Sequence, residues 1–523
     1  MVLLLVVGLS DGASSDSFRV VQASEILAKI ENGTRVDYKF VVVEGDLDLS
    51  ELDLPTGHVE RTEYEIAFMK LTEEVKLVAS PINITNSMIQ GNVSFGNAIF
   101  MNSTIFRWTN FSGGYTNFVG ADFVGAADFW SADFSGIAYF IGANFGSDAD
   151  FGYADFDDNT NFWCANFSDN ASFWGADFGD NTNFWCANFS DNASFGDAYF
   201  DGASDFNGVD FCGYADFYDA YFDGASDFRY ADFYGYADFY DAYFDGASDF
   251  SGANFSGVSD FRYADFNGSA DFREAHFFES VDLSGVKFVS FEVDWNSINQ
   301  LVCDGPAYLE LVKNFKTLEQ FEDADSCYYQ YRQWRQDTKS WLIWSKYIDI
   351  LAHLSCGYGV RPSYTLCWSF GIILLFGLAL WIGNGIYRSK TPQNEGAYEK
   401  TWAISTVCSV SLKKILFLSR RILHILVAIL KMVTHSPKII WIILFKLGPS
   451  ELLGALRNIG EMSFTTNVSF KDSLYFSSLV FVSQPPHDWR PKEGWKYAVM
   501  IEDILGWLLL ALFLVTLGNV MIR

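Results

Sequence analysis

Phenylalanine recurs at alternating spacings of five and six residues through residues 95–288, beginning for instance with Phe123 and Phe129. Longer stretches repeat at an offset of 22 residues, because residues 159–173 return almost unchanged at residues 181–195. A fixed period of this kind predicts a solenoid, in which each coil buries its apolar side chains against the neighbouring coils. At this period, residues 95–288 make about nine coils.

Most of these phenylalanines follow a polar residue that itself follows a small one, as in Ala132-Asp133-Phe134. In an extended chain this alternation places Phe and the small residue on one side and the polar residue on the other. The spacing is not helical, so the chain is expected to turn every five or six residues with Phe pointing inward. The predicted core includes one such phenylalanine in each successive coil: Phe134, Phe156, Phe178, Phe200, Phe222 and Phe244.

These Ala-Asp-Phe and Ala-Asn-Phe steps resemble the repeats of the pentapeptide-repeat family, and the resemblance covers roughly residues 83–291. It implies an all-β solenoid, a right-handed quadrilateral β-helix whose central Phe or Leu points inward. Every second step of this chain has one residue more than the simplest family pattern. The expected coil is therefore 5+6+5+6 residues long, with looser corners on two of its edges.

The rest of the chain divides by its pattern. The predicted organisation is a signal-like or disordered N-terminus (1–22), an N-terminal cap (23–82), the β-helix (83–292), a helical connector (293–361), a first transmembrane helix (362–387), basic interfacial helices (388–462), and a pore-like helix, loop and second transmembrane helix (463–523). Within the cap, residues 23–31 read as a helix and residues 36–43 as one strand. Residues 308–346 have helical spacing, which fits either a cap and connector or a helix that binds a partner or a membrane surface.

The N-terminal residues 2–9 form an apolar run that small residues follow. This order is typical of a secretory signal peptide, although no basic residue precedes the run. A disordered apolar tip is the alternative interpretation.

Charge is distributed unevenly along the chain. The net charge of −30 divides into −37 for residues 1–304 (12 Lys and Arg against 49 Asp and Glu) and +7 for residues 305–523 (23 against 16). An acidic solenoid repels nucleic acid and attracts cations or a basic protein partner. Residues 367–386 and 504–522 are each long and apolar enough to span a membrane. The chain is therefore expected to be an integral membrane protein of the cell, with homo-oligomers possible.

Residues 463–523 resemble the pore helix and inner helix of two-transmembrane ion channels. The resemblance lies in the segment FKDSLYFSSLVFVS (470–483), followed by a loop and an apolar helix. The residues carried over as pore-like are Tyr475, Phe476, Ser477, Ser478, Ser483 and Gln484. The filter position has Gln-Pro-Pro-His-Asp-Trp (484–489) in place of a TVGYG-type filter, so potassium selectivity is not expected. The separate Gly-Tyr-Gly at 357–359 has no pore helix before it and is expected to be a turn.

Three features of the repeat surface are candidates for binding. Cys164 and Cys186 lie one coil apart and are expected to stack as two thiols, with a disulfide or a metal site as the alternative. An aspartate column, Asp216, Asp238 and Asp260, is expected to be a repulsive ladder that is either solvated or relieved by calcium. A row of outward aromatic side chains is a candidate docking stripe: Trp163, Trp174, Trp185, Tyr218 and Tyr240.

No histidine, cysteine or carboxylate pattern indicates catalysis, a metal site or a cofactor. The preferred hypothesis is a non-enzymatic, membrane-anchored binding or scaffold rod that carries a pore-like module. The alternative is a working ion channel without potassium selectivity, in which the rod is an accessory or gating domain. Some soluble pentapeptide-repeat proteins protect DNA gyrase by imitating DNA, but two spans disfavour that function here. Lys and Arg accumulate after the first span, which favours an extracytoplasmic rod over a cytoplasmic one.

Overall fold

The computed structural model describes residues 18–388 and 468–521. The chain forms two compact units, Met1–Ser340 and Trp341–Arg523. Residues 2–9 of the signal-like segment and the basic segment at 389–462 lie outside the described residues, so the predictions made for them stay predictions. Each unit is described below by itself.

The first unit is a β-solenoid of about 13 turns. One coil consists of four short strands, such as Asp155–Phe156, Thr160–Asn161, Asn166–Phe167 and Ala171–Ser172, and we call their columns faces 1 to 4 in that order. Each strand pairs in parallel with the strand 22 residues later, so that Phe156 is opposite Phe178. The four columns and the 22-residue register confirm the predicted quadrilateral solenoid.

The columns extend beyond the predicted repeat at both ends, which is why there are more turns than the nine estimated for residues 95–288. Face 1 consists of Arg19–Gln22, Val41–Glu44, Met88–Ile89, Asn110–Phe111, Asp133–Phe134, Asp155–Phe156, Asp177–Phe178, Tyr199–Phe200, Tyr221–Phe222, Tyr243–Phe244, Asp265–Phe272 and Lys287–Val293. Face 2 consists of Leu47–Asp48, Val93–Ser94, Tyr115–Asn117, Ile137–Tyr139, Thr160–Asn161, Thr182–Asn183, Ser204–Asp205, Ser226–Asp227 and Ser248–Asp249, and then continues through the last two strands of face 1.

The other two columns are built in the same way. Face 3 consists of Glu74–Val78, Ala98–Phe100, Asp122–Phe123, Asn144–Phe145, Asn166–Phe167, Asn188–Phe189, Asp210–Phe211, Asp232–Phe233, Asn254–Phe255, His276–Asp282 and Ile298–Val302. Face 4 consists of Val36–Lys39, Ile82–Thr85, Thr104–Ile105, Ala127–Asp128, Ala149–Asp150, Ala171–Ser172, Ala193–Ser194, Ala215–Asp216, Ala237–Asp238 and Ser259–Asp260, and then joins the last two strands of face 3.

The two step lengths produce two kinds of corner. The five-residue steps turn through a residue in the left-handed region, such as Tyr153 (φ 55°) or Cys164 (φ 49°). The six-residue step from Phe156 to Phe162 has no such residue and uses its extra length to turn more widely. In this wider corner the coils approach closely, because a β-carbon on Gly246 would lie 2.2 Å from the carbonyl oxygen of Gly224.

Phenylalanine columns fill the interior of the solenoid. Phe156 and Phe178 are fully buried and stack in parallel with ring centroids 5.0 Å apart. The predicted core residues form one continuous stack on face 1: Phe134, Phe156, Phe178, Phe200, Phe222 and Phe244. Rings on adjoining faces meet edge to face, as Phe151 and Phe162 do at 5.4 Å. Stacked aromatic contacts repeat in every coil, so the core is added turn by turn.

The first coils contain helix α1 (Ala23–Glu31), which ends at Asn32 as predicted. Residues 36–43 do not form one strand, because Phe40 has a left-handed φ of 56° and divides the run into Val36–Lys39 and Val41–Glu44. These two strands lie on different faces, so the segment turns a corner of the solenoid.

An excursion between the first coils packs on the outside of the rod. Strand Thr56–His58 pairs antiparallel with Glu74–Val78. Between them lies helix α2 (Glu63–Ala67), which has a capping box between Thr62 and Glu65. The sequence pattern gave no indication of this excursion, since a single short antiparallel pair has no repeat to mark it.

Two helices follow the last strand of the first unit. Helix α3 (Gly305–Thr317) begins at the N-cap Asp304, and helix α4 (Phe321–Thr338) packs against it. The single helical segment predicted for residues 308–346 is interrupted at Glu319, whose φ is 60°. A further 3-10 turn, Trp295–Ser297, precedes these helices.

The second unit is helical. It contains α5 (Trp344–Cys356), a 3-10 turn at Gly357–Gly359, α6 (Pro362–Ile382), α7 (Phe470–Phe481), a 3-10 turn at Glu493–Trp495 and α8 (Lys496–Met521). Strands Ile386–Arg388 and Trp489–Pro491 pair antiparallel. Within the described residues, α6 and α8 are the helices long and apolar enough to cross a membrane.

The observed bounds of these two helices correct the prediction. Helix α6 ends at Ile382, and Ile386 lies in a strand and not in the span, because two glycines, Gly383 and Gly385, follow the helix. Helix α8 begins at Lys496, eight residues before the predicted start, so Glu502 and Asp503 lie inside the helix and not at its flank. The Gly-Tyr-Gly at 357–359 is a turn, as expected.

Candidate functional sites

Face 1 of the solenoid carries a run of carboxylates without a cationic partner. The outward aspartates of this face and of the corner that follows it form what we call the acidic face: Asp133, Asp155, Asp157, Asp177, Asp201, Asp223 and Asp245. Among the described residues, the cation of face 1 is Lys287, which pairs with Asp265 at 3.0 Å one end of the run away. The acidic face therefore presents uncompensated negative charge along several coils.

The carboxylates of the acidic face repel one another. Partial burial, followed by repulsion from Asp157, Asp177 and Asp133, raises the pKa of Asp155 to about 6. Partial burial and the neighbours Asp201 and Asp157 likewise raise the pKa of Asp177. A cation that bound here would remove this repulsion, which is the electrostatic property expected of a binding surface for positive charge.

The other three faces neutralise or hydrogen-bond their polar rows. On face 2, Arg229 pairs with Asp227 at 2.5 Å. On face 3, asparagines form a ladder, in which Asn188 donates to Asn166 at 2.7 Å. Face 4 has arginines at Arg107 and Arg262. The acidic face is thus distinguished by its lack of donors and not by its aspartates alone.

The aspartate column predicted to be a bare repulsive ladder lies on face 4, where donors relieve it. Asp216, Asp238 and Asp260 are in register as expected. The hydroxyl of Tyr214 donates to Asp238 at 2.7 Å, and that of Tyr236 donates to Asp260 at 2.8 Å. Burial raises the pKa of Asp260, but hydrogen bonds from Arg262 and Tyr236 outweigh it and hold the pKa below its ordinary value.

The predicted aromatic row is two separate stacks. Trp163 and Trp185 follow face 2 and stack at 5.5 Å, whereas Tyr218 and Tyr240 follow face 4, on the opposite side of the coil, and stack at 5.5 Å. Trp174 also follows face 4. The row is divided because successive aromatic positions are 11 residues apart, which is half a coil.

Cys164 and Cys186 form a disulfide between adjacent coils. Both residues occupy the same left-handed corner, with φ of 49° and 56°, and this places their Cα atoms 4.6 Å apart. Disulfides accept Cα separations of roughly 4.4–6.8 Å. The interpretation as two free thiols is therefore wrong, although the predicted stacking on one outer face is confirmed.

In the second unit, α7 packs between α6 and α8 at two glycines. A β-carbon on Gly377 of α6 would lie 3.2 Å from the Cα of Leu474, and one on Gly506 of α8 would lie 2.0 Å from the carbonyl oxygen of Phe481. Ser477 of α7 also hydrogen-bonds to the carbonyl oxygen of Ile373 in the middle of α6, at 2.8 Å. The short helix is therefore held against both long helices.

Helix α7 begins and its loop returns at the same end of the helix pair. Its first residue, Phe470, contacts Trp381 at the C-terminal end of α6, with ring centroids 5.6 Å apart. Its last residue, Phe481, lies beside Gly506, ten residues into α8. The chain then returns to strand Trp489–Pro491, which pairs with the strand that follows α6. This is the path of a re-entrant helix and loop.

The predicted pore-like residues occupy different environments. Phe476 and Ser477 are buried, and Ser478 donates to the carbonyl oxygen of Tyr475, whose ring is exposed. Ser483 lies beyond the end of α7 with a φ of 56° and hydrogen-bonds to Asp503. Gln484 is exposed in the loop. The predicted helix 470–483 thus ends at Phe481, two residues early.

Glu502 is the residue of this unit that the sequence analysis did not place at a site. Its side chain is fully buried, and its carboxyl hydrogen-bonds to Ser477. The available indication was an acidic residue close to an apolar run, which was taken as the flank of the span. The earlier start of α8 moves it inside.

The comparisons with known proteins bear on the repeats. Residues 187–232 and 250–290 match the family profile described as pentapeptide repeats, in nine copies. Neither a curated protein nor a solved structure matches the chain. Among the described residues, no group of three or more His, Cys, Asp and Glu is arranged to hold a metal ion. The matched residues lie within the four-sided coils, and the chain therefore contains pentapeptide repeats that form its β-solenoid.

Proposed function

We propose that this chain is a non-enzymatic, membrane-anchored rod whose acidic face binds a basic protein partner. The observation that carries the proposal is the difference between the faces. Three faces pair or hydrogen-bond their polar rows, whereas the acidic face leaves its aspartates uncompensated and raises the pKa of Asp155, Asp177 and Asp223. Helices α6 and α8 are the anchor.

A basic partner suits this face better than a single metal ion. The carboxylates recur once per coil, at roughly the 4.8 Å spacing of adjacent strands. Row-like negative charge attracts an extended basic segment through many weak contacts, which salt screens. Metal cations gather at the same face without a defined ligand set.

The partner is tested with polylysine as the probe and the full chain in nanodiscs of zwitterionic lipid. The variant D201N/D223N/D245N removes three charges from the acidic face. The matched control D227N/D249N/D271N removes three charges from face 2, where Arg229 and Arg273 already pair with them. We expect several-fold weaker binding for the first variant and little change for the second. Equal losses would show that net charge alone attracts the probe and would refute the assignment of the face.

The rod is proposed to be extracytoplasmic. The disulfide between Cys164 and Cys186 supports this side, because disulfides persist in oxidising compartments and are rare in the cytosol. The basic residues that follow the first span support it too. The competing arrangement has the rod in the cytoplasm.

The exposed thiol of Cys212 decides between the two arrangements. Burial and the neighbouring Asp210 raise its pKa, so a membrane-impermeant thiol reagent is applied at mildly alkaline pH to intact cells. Labelling of intact cells supports an extracytoplasmic rod. If Cys212 reacts only after the membrane is permeabilised, although it reacts in the purified chain, the rod is cytoplasmic.

A second candidate function is an ion channel without potassium selectivity. One observation favours it: α7 enters from the C-terminal end of α6, reaches Gly506 and returns to the same end. A pore built this way places a loop between the spans of several copies, so it requires a homo-oligomer. Current recording from the purified, oligomeric chain in planar bilayers tests it. Flat traces from intact oligomers would leave the anchored rod as the function.

A further inference from the structure

A hydrogen-bond chain connects the three helices of the second unit through Glu502. Its carboxyl contacts the hydroxyl of Ser477 on α7, and the same hydroxyl lies 2.8 Å from the carbonyl oxygen of Ile373 on α6. Glu502 is fully buried, and its second oxygen, Oε2, has no hydrogen-bond partner. Ser473, one turn earlier on α7, is also fully buried and its hydroxyl is likewise without a partner.

The number of hydrogens decides which group donates to which. A serine hydroxyl has one hydrogen to donate, and a carbonyl oxygen can only accept. If Glu502 were ionised, both neighbours of the Ser477 hydroxyl would be acceptors, and one of the two contacts would have no hydrogen. If Glu502 carries a proton, its O–H donates to Ser477 and the hydroxyl of Ser477 donates to Ile373. Both contacts are then satisfied.

No described residue supplies a counter-charge to Glu502. Its sequence neighbour Asp503 is also acidic, and α6 contains no Lys, Arg, Asp or Glu. The titratable groups of the elements packed against α8 are Lys346, Tyr347, Asp349, His353 and Cys356 of α5, Tyr364 and Cys367 of α6, Lys471, Asp472 and Tyr475 of α7, and Glu493 of the preceding turn. None of them forms a salt bridge with Glu502 in the described part of the chain. A buried carboxylate without a paired cation is costly, so the neutral form is favoured.

We propose that Glu502 is a proton-binding site at neutral pH and that the bound proton joins α8, α7 and α6 through Ser477. The ligand is a proton from water, and the bond formed is the O–H of the carboxylic acid. Loss of the proton leaves one acceptor of the Ser477 hydroxyl unsatisfied and loosens α7 from one of its two neighbours. The site is therefore also the point at which pH acts on the re-entrant helix.

This inference does not depend on conduction or on a partner for the rod. It requires the packing of α7 against α6 and α8, and burial of Glu502. A chain that fails to conduct, or to bind polylysine, would leave the proton site as it stands.

The test is infrared spectroscopy of the full chain in lipid nanodiscs. A protonated carboxyl has a C=O stretch separate from the carboxylate bands. The pH is set well above the value of about 6 that applies to Asp155, so that the aspartates of the solenoid are ionised. We expect a protonated carboxyl band that Glu502→Gln removes and that the matched control Asp503→Asn retains.

A second variant keeps the test informative if Glu502→Gln folds poorly. Ser477→Ala removes the acceptor of the Glu502 proton, so the band should persist but shift to higher frequency. Absence of the band in the wild-type chain, or its retention in Glu502→Gln, would overturn the proposal. A band that appears only after sodium and potassium are removed would also overturn it, since Glu502 would then hold a metal cation.

Discussion

The carbonyl oxygen of Phe481 lies where residue 506 has no room for a side chain. A β-carbon on Gly506 would be 2.0 Å from that oxygen and 2.8 Å from the carbonyl carbon. Glycine at this position thus permits α7 to end against the middle of α8. The re-entrant path of α7 depends on this contact as much as on the polar contacts of Ser477.

Gly506→Ala is expected to destabilise the helical unit, because the added methyl group must displace backbone atoms of α7. Overpacking of this kind costs about 1–3 kcal/mol. Gly371→Ala in α6 is the matched control, since a β-carbon there meets nothing within 4 Å. Thermal unfolding of the full chain in detergent, followed by protease resistance of the helical unit, measures both. Equal melting of the two variants would contradict the packing described for α7.

The phenylalanine columns are expected to dominate the stability of the solenoid. Phe178→Ala, in the middle of the rod, should cost about 3–5 kcal/mol, because it removes a buried ring and leaves a cavity. Asp177→Asn should change stability by less than about 0.5 kcal/mol. Its sign is expected to be stabilising, since burial and the neighbours Asp201 and Asp157 disfavour the charge of Asp177. Chemical denaturation compares the two, and similar losses would place Phe178 outside the core.

Asp155 is expected to make the rod less stable as the pH rises. Its pKa is about 6 in the folded chain and 3.8 in the ordinary state, so the folded chain holds more protons between these values. The free energy of unfolding therefore falls as the pH rises through about 6, and the effect is absent below 3.8. Asp155→Asn removes this term. The stability difference between variant and wild type should grow over this pH range in denaturant titrations, and a difference that stays constant would refute the shift.

Whole coils are expected to be removable. Deleting residues 223–244 removes 22 residues and joins Phe222 to Asp245, which restores the local sequence of a normal step. Each coil contacts only its neighbours, so the shortened rod should fold. Deleting only the five residues 229–233 should be worse, because it places a six-residue step at a corner that requires a left-handed five-residue step. Circular dichroism and melting of both chains would contradict the coil length if the shorter deletion were the better tolerated.

The repeat was predictable from the sequence because its period is repeated many times. Phe156 and Phe178 report the same environment in successive coils, so the pattern of inward and outward positions averages over irregularities. The corner at Phe40 was missed for the opposite reason. A single residue with a left-handed φ leaves no periodic trace, and the apolar run around it looked like one strand.

The functional features outside the repeat depend on contacts between distant residues. Glu502 looked like a charged flank until the start of α8 was known, and its partner Ser477 is 25 residues away. The disulfide between Cys164 and Cys186 required the geometry of the corner, which spacing alone does not give. The acidic face likewise became distinct only when Arg229, Arg262 and the tyrosine hydroxyls were found on other faces.

Retention of the full chain in membranes tests the central claim that two helices anchor the solenoid. Isolated cell membranes are washed with concentrated salt and then with alkaline carbonate, which releases proteins held by charge. The account predicts that the chain stays with the lipid through both washes and floats with it in a density gradient, because α6 and α8 lie in the bilayer core. Recovery of the folded chain in the carbonate supernatant would contradict the account.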